Sequence, residues 1–442
     1  MSNLNVHVCI CTLFFFLFPH LIFSHGHGTK HKHKQIIELD DEKKIDLKFS
    51  GYVRMDSFFD SRENVDYWRG LDIAFPKNKL LDPNGCDIND KSQYNMVPYS
   101  SLRLHAKGPD LWNAKTSAKI KTDFSGKVFT ELVDDGLLAD YGNLRLQHAY
   151  FQLDWEKTKL RAGLYYHPMT ILRYSSDTVS INAGEMFDPF QYSAHVYVKH
   201  HIDRIQLVGA VGKIYHRRRF REAICPNILG QVNYVTKEKN GFGVGVDFRM
   251  EVPRLETDVL IATGLGDSSN SFKTQQNVKS VCCFFVSKLK HKELTWTSRL
   301  MYAENAYIYG LLGGYGTKKR NPVTDRREYT NIRSISAWTD FFYNNSRWEV
   351  GFFMGVAKNI GARDEILRHP NTDEFLVFGL GLDIDKLFRF QPRVRIFRGP
   401  ITFGIELEHT RAWYGTTNKN GKVDDSCPVH NTRVVGSVIY AW

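Results

Sequence analysis

Three arginines, Arg389, Arg393 and Arg395, stand in the stretch LFRFQPRVRIFRG at 387–399, and Glu406 and Glu408 follow in ITFGIELEH at 401–409. Residues two apart share one face of a strand, so each stretch presents its charges on one side. A guanidinium attracts and orients anions, and carboxylates on the next strand offer cross-strand ion pairs. Arg54, Arg103, His105, Lys107, Lys119, Lys121 and Arg161 recur in the matching phase of other alternating stretches. The chain therefore predicts a wall of cations. Asn182, Glu185 and Asp188 form a second group, set among the apolar Val179, Ile181, Met186, Phe187 and Phe190.

This chemistry steers solutes and does not make or break bonds. There is no HExxH, no GxSxG, no phosphate-binding glycine loop and no paired Cys/His spacing. No catalytic residue, no cofactor and no metal site is expected. Asp134 and Asp135 lack a partner set for acid–base work. NGCDINDKS at 84–92 resembles a calcium loop only in its acidic spacing, without the closing bidentate Glu, and reads as surface. The cluster YHRRRFRE at 215–222 reads as a solvated basic loop, with contact to lipopolysaccharide or the lining of a barrel mouth as the alternative; nucleic acid is not expected. His200 and His201 close a strand and read as a surface pair.

The elements that hold these groups are strands. Phe388, Phe390, Pro392, Val394 and Ile396 alternate with Arg389, Gln391, Arg393 and Arg395. DLKFSGYVRMDSF, SLRLHAK, KLRAGLYYH, GFGVGVDFRM, RWEVGFFMGV and ITFGIELEH repeat the pattern. NLRLQHAYFQLDW slips phase between Gln147 and His148, which predicts a bulge. RIQLVGAVG and VKSVCCFFVSKLK alternate poorly. Connections alternate strictly between short ones, such as EKT, NNS and RGP, and long ones, near 59–97, 125–142, 169–193, 214–226, 252–276, 304–329, 358–386 and 414–430. Roughly 16 strands of ~10 residues with short turns on one side and long loops on the other predict an antiparallel up-and-down transmembrane β-barrel over 46–442. The apolar face then meets lipid at Phe242, Val244, Phe388, Val394, Phe403 and Trp442, and the cations face a watery lumen. A soluble β-sandwich buries one face equally well, but does not explain the short/long rhythm or the terminal strand RVVGSVIYAW with its closing Trp442.

Composition agrees. Aromatics are 13 % of 442 residues and the net charge is +11, which suits anionic partners. Mean hydropathy is −0.36. Past the N-terminus no run is long and apolar enough for a spanning helix. Val8 to Phe18, Pro19, Ser24 and Gly26 predict a signal peptide over 1–26, although the n-region lacks Lys and Arg. Residues 27–45 then read as a basic, His-containing leader or short helix. The remaining cysteines, Cys86, Cys225, Cys282, Cys283 and Cys427, are odd in number and specify no disulfide framework. Cys282 and Cys283 read as packing.

LRLQHAYFQLDWEKTKLRAGLYYHPM followed by VSINAGEMFDPF resembles the DcaP-like and related porin-like outer-membrane proteins, including members from the Bacteroidetes. The matching residues include His148, Tyr150, Gln152, Trp155, Gly163, His167, Pro168, Ser180, Asn182, Gly184, Phe187, Pro189 and Phe190. LLGGYG at 311–316 and REYTNIRSISAW at 327–338 are similar too. Glu185 and the cysteine content depart from the pattern. The resemblance implies a 16-stranded porin, often trimeric, in the bacterial outer membrane among lipid and lipopolysaccharide. The expected function is passive passage of small hydrophilic, anionic solutes through a lumen lined by the cations above. The connection 169–193 would be a constriction loop offering Asn182, Glu185 and Asp188. The alternative is a surface-exposed structural or adhesive protein.

Overall fold

The computed structural model describes residues 34–40, 43–68, 70–124, 144–182, 184–214, 223–236, 240–257 and 271–442. The strands in chain order are β1 (Lys34–Asp40), β2 (Lys43–Asp60), β3 (Asn64–Trp68), β4 (Asp72–Pro76), β5 (Gln93–Lys107), β6 (Lys115–Asp123) and β7 (Arg145–Asp154). Then come β8 (Thr158–Tyr166), β9 (Tyr192–Ile202), β10 (Ile205–Ile214), β11 (Asn227–Val235), β12 (Gly241–Glu251), β13 (Val278–His291) and β14 (Leu294–Glu304). Last are β15 (Gly313–Arg320), β16 (Arg327–Asn344), β17 (Trp348–Gly361), β18 (Val377–Leu380), β19 (Ile384–Arg398), β20 (Ile401–Thr417) and β21 (Val423–Ala441).

Sixteen of these close into one antiparallel barrel, as the alternation predicts. β2 seals it, pairing with β5 on one edge and with β21 on the other, where Asp60 stands opposite Arg433. Closure leaves no unpaired edge for hydrocarbon to meet. β3 and β4 form a separate hairpin, and β15 pairs with β16 and β18 beyond the barrel wall. Among the described residues no helix is long and apolar enough to cross a membrane.

One expectation is met differently. The leader or short helix expected up to residue 45 is instead β1 over 34–40, paired antiparallel with the first residues of β2, which begins at Lys43. The signal peptide, the basic tail before residue 34, Asp134, Asp135 and the 215–222 cluster lie outside the described residues.

The outer surface is apolar where phase requires. Val244 is 54 % exposed and Ile405 57 %. Phe242, Val394 and Trp442 are also exposed, and Phe388 and Phe403 lie half-covered on the same face. Aromatic pairs gather at the short-turn end: Tyr234 stacks on Phe242, Tyr343 meets Trp348 and Tyr440 meets Trp442. Such a girdle marks the membrane–water interface.

The inner surface divides. On β10 to β21 much of it is apolar and buried, because polypeptide fills that side of the barrel. Met169 and Tyr174 pack with Leu229, Phe284 and Met301. Met186 and Phe187 pack with Trp338, Phe353 and Leu387. Leu71 and Val179 pack with Phe58, Val97 and Val435. This explains the poor alternation of β10 and β13: both faces are apolar, one toward lipid and one toward the filling. Cys282 is buried inward and Cys283 exposed outward, so the adjacent pair points to opposite faces. All five described cysteines are free thiols.

Candidate functional site

The segment between β8 and β9 starts and ends at one point, where the His167 amide donates to the Gln191 carbonyl at 2.7 Å. It folds into the barrel as its apolar residues predict. Val179, Met186 and Phe187 are buried against the inner wall, while Phe190 stays exposed. Two wall glycines make room. A Cβ on Gly355 would stand 2.6 Å from the Phe187 ring, and one on Gly404 would stand 2.8 Å from Val179.

Polar clamps fix the segment. Glu406 accepts the Val179 amide at 2.6 Å and the Ser180 amide at 3.2 Å. Glu408 accepts from the Asn182 side chain at 2.7 Å, and Asn182 accepts the Ile73 amide at 3.0 Å. Asp188 pairs with Arg299 at 2.7 Å. Arg389 donates to the Thr410 hydroxyl at 2.8 Å, to the Ala74 carbonyl at 2.7 Å and to the Glu185 carbonyl at 3.4 Å, and pairs with Glu408 at 3.3 Å. Arg393 pairs with Asp340 at 2.6 Å and with Glu349 at 3.0 Å. Arg395 pairs with Asp177 at 2.8 Å and donates to the Thr178 carbonyl. Arg54 pairs with Asp56 at 2.7 Å and donates to the Val179 carbonyl at 2.5 Å.

These residues point inward, as their phase requires, yet they do not line open space. Arg389, Arg393, Glu406 and Glu408 are buried under the segment, as are Asn182, Glu185 and Asp188 within it. Arg54 and Arg395 are part-buried and occupied. This set, expected to line the pore and the constriction, is instead found covered and paired, and charge that meets its counter-charge in this way acts as a fastening. The cross-strand pairing expected between the arginines and the glutamates holds only for Arg389 with Glu408. Arg393 faces Glu406 in register but reaches past β17 to Asp340.

The remaining cations sit on β5, β6 and β8 and behave differently. Arg103 on β5 stands opposite Lys121 on β6, and Lys121 opposite His148 on β7. One row nearer the short turns, His105 stands opposite Lys119, and Lys119 opposite Tyr150. Arg161 on β8 lies between Gln152 and Tyr197. Its guanidinium centre is 4.1 Å from the Tyr165 ring, 4.8 Å from Tyr150 and 5.4 Å from Tyr197. Among the described residues, no carboxylate lies within ion-pair distance of Arg103, Lys119, Lys121 or Arg161. The nearby acids are taken: Asp123 pairs with Arg145 at 2.6 Å and Asp154 with Lys159 at 2.9 Å. Arg103, His105, Lys119 and Arg161 are half-buried and Lys107 is exposed.

Sequence reading missed His148 and Asp340 as functional groups. The bulge that carries His148 inward was legible: Lys121 pairs with His148 and Thr122 with Leu146, leaving Gln147 as the extra residue. Asp340 carried no such signal. The other candidates are occupied locally. His200 meets the Thr158 hydroxyl at 2.8 Å. In the 84–92 loop, Asp87 pairs with Arg62 at 2.8 Å, while upstream Asp82 accepts the Asn84 and Cys86 amides. Among the described residues no cluster of three or more His, Cys, Asp or Glu is arranged to hold a metal ion.

With this geometry in hand, the likenesses to solved structures are informative. The outer membrane channel DcaP of Acinetobacter baumannii is similar over 90 % of this chain and 97 % of its own, with TM-score 0.61 and 12 % identity. OmpT, an outer membrane protein of Vibrio cholerae, covers 92 % of this chain and 100 % of its own, with TM-score 0.52 and 10 % identity. OmpF of Salmonella typhi covers the same shares with TM-score 0.51 and 10 % identity. No protein-family model and no curated protein sequence matches the chain. At such identities the likeness is one of fold. That fold is the porin-like barrel of the bacterial outer membrane.

Proposed function

We propose that this chain is an outer-membrane porin that passes small hydrophilic solutes and favours anions. One observation carries the reading. The inner wall is fastened shut by paired charge on β16 to β20, whereas on β5 to β8 Arg103, Lys119, Lys121 and Arg161 have no carboxylate within ion-pair distance among the described residues. Fixed positive charge beside low-dielectric walls raises the local concentration of anions. The narrowing comes from the segment between β8 and β9. We place the chain beside the DcaP-like group on the sequence motifs, with export through a signal at 1–26. A homotrimer is the assembly we favour, as the Vibrio cholerae protein is described in a trimer form. Outer-leaflet lipid and lipopolysaccharide would surround it.

Single-channel recording of the full chain in a planar bilayer, across a potassium chloride gradient, tests this. Discrete conductance with a reversal potential on the anion side is expected. A correctly folded barrel without conductance overturns the reading in favour of a surface structural protein.

A further inference from the structure

The row Arg103–Lys121–His148 gathers unpartnered polar groups on three adjacent strands. Lys121 is 7 % exposed, yet among the described residues its ammonium has no hydrogen-bond partner and no carboxylate within ion-pair distance; the Tyr166 ring lies 5.9 Å from Nζ. His148 is 3 % exposed, and both of its ring nitrogens are unpartnered. The Nε of Arg103 is buried and unpartnered as well. A shielded cation without a counter-charge is costly, and buried donors without acceptors add to the cost. Asp123, two residues along from Lys121, is held by Arg145 and by the Gln147 amide. Among the described residues nothing takes the acceptor role for this row.

We infer that Arg103, Lys121 and His148 form a binding site for a tetrahedral oxyanion of the phosphate type, free or as a monoester. The inference rests on the channel reading above and names the solute class for it. Three adjacent strands, about 4.8 Å apart, bring three different donors to one row. Arginine supplies a planar fork, lysine a point charge and histidine a single N–H. A carboxylate has two oxygens and one charge, and suits a single fork. A phosphate offers oxygens in several directions and carries up to two charges, which matches donors arriving from three strands. Aromatic rings exclude water around the row. Tyr52 lies 5.9 Å from the Arg103 guanidinium, and the His148 ring centre is 4.4 Å from Tyr165 and 4.6 Å from Tyr166. Lower local polarity strengthens each charge-assisted bond. Lys119 and Arg161, unpaired and less covered, extend the positive wall toward the row.

The experiment is block of single-channel chloride current by inorganic phosphate, glucose 6-phosphate and acetate, on wild type, Lys121→Gln and Lys121→Arg. Folding of each variant is checked by heat-modifiable mobility. Half-block by phosphate is expected at a concentration about ten-fold below that of acetate. Lys121→Gln should raise the phosphate value about ten-fold, whereas Lys121→Arg keeps most of the effect. Block by glucose 6-phosphate as well as phosphate assigns monoesters to the site; block by phosphate alone assigns the free ion. Equal block by acetate, or an unaltered phosphate value in folded Lys121→Gln, overturns the inference and leaves the channel reading standing. A folded barrel that conducts nothing overturns the channel reading; phosphate titration of the detergent-solubilised chain by calorimetry then decides the site by the same Lys121→Gln comparison.

Discussion

Arg393 and Asp340 meet at 2.6 Å inside the barrel, each with a fully buried side chain, across the intervening strand β17. Glu349 on β17 joins them at 3.0 Å, and the Asp177 amide of the inward segment donates to Asp340 at 2.9 Å. One guanidinium thus ties two strands, and through Asp340 a loop. The pair is satisfied on both sides, so it offers nothing to a passing solute.

Breaking it leaves a buried, uncompensated charge. Asp340→Asn should lower stability by about 3 kcal/mol, in the range for a broken buried pair. Urea denaturation in detergent, followed by tryptophan fluorescence, measures the change. A loss of a few tenths would mean that water reaches the site.

Removal of residues 178–190 should raise single-channel conductance and lower stability together. The deletion takes away the filling and strips Glu406, Glu408 and Arg299 of partners at once. Folded barrels of unchanged conductance would show that the segment does not narrow the passage.

Gly355→Val should unseat Phe187. The new side chain occupies the space of the ring, whose nearest atom is 2.6 Å from the Cβ position. The expected cost is about 1–3 kcal/mol, typical of overpacking, with noisier open-channel current as the segment loosens. Quiet current and wild-type stability would contradict this seating.

Charge selectivity should follow pairing. Arg161→Gln and Lys119→Gln should each move the reversal potential toward the cation side, by an amount that shrinks at high salt as screening shortens to about 3 Å at 1 M. Arg393→Gln should alter stability more than selectivity. The reverse ranking would return the role to the buried arginines.

Outside the membrane-spanning strands, Asp325 is ringed by Arg254, Arg320 and Arg327, at 2.6, 2.7 and 3.1 Å. Hydrogen bonds from these three outweigh burial and hold its carboxyl down at about 2. Its folded value lies below the unfolded one, near about 3.9. The stabilisation is therefore present above about pH 4 and is lost as pH falls toward 2, amounting to about 1–2 kcal/mol. Amide exchange over 317–328 should accelerate across that window in wild type and be fast throughout in Asp325→Asn. A flat pH profile in wild type would refute it.

Much of this molecule is local. Alternation in 387–399 set Phe388 and Val394 outward and the arginines inward, because a strand's side chains alternate strictly. The slip at Gln147 announced a bulge, and the rhythm of short and long connections announced a barrel with two unlike rims. Where the pattern blurred, in 204–212 and 278–290, the blur itself was physical: the inner face there packs on the inward segment and is as apolar as the outer one. The sequence could not say which inward cations are spent. Arg389 and Arg161 are alike in type and phase. One meets Glu408 and the carbonyls of residues more than 200 positions away, whereas the other, among the described residues, meets Gln152 and a ring of tyrosines. Counter-charges come from strands and loops that closure brings together, so only the tertiary structure decided which charges are fastenings and which stay open.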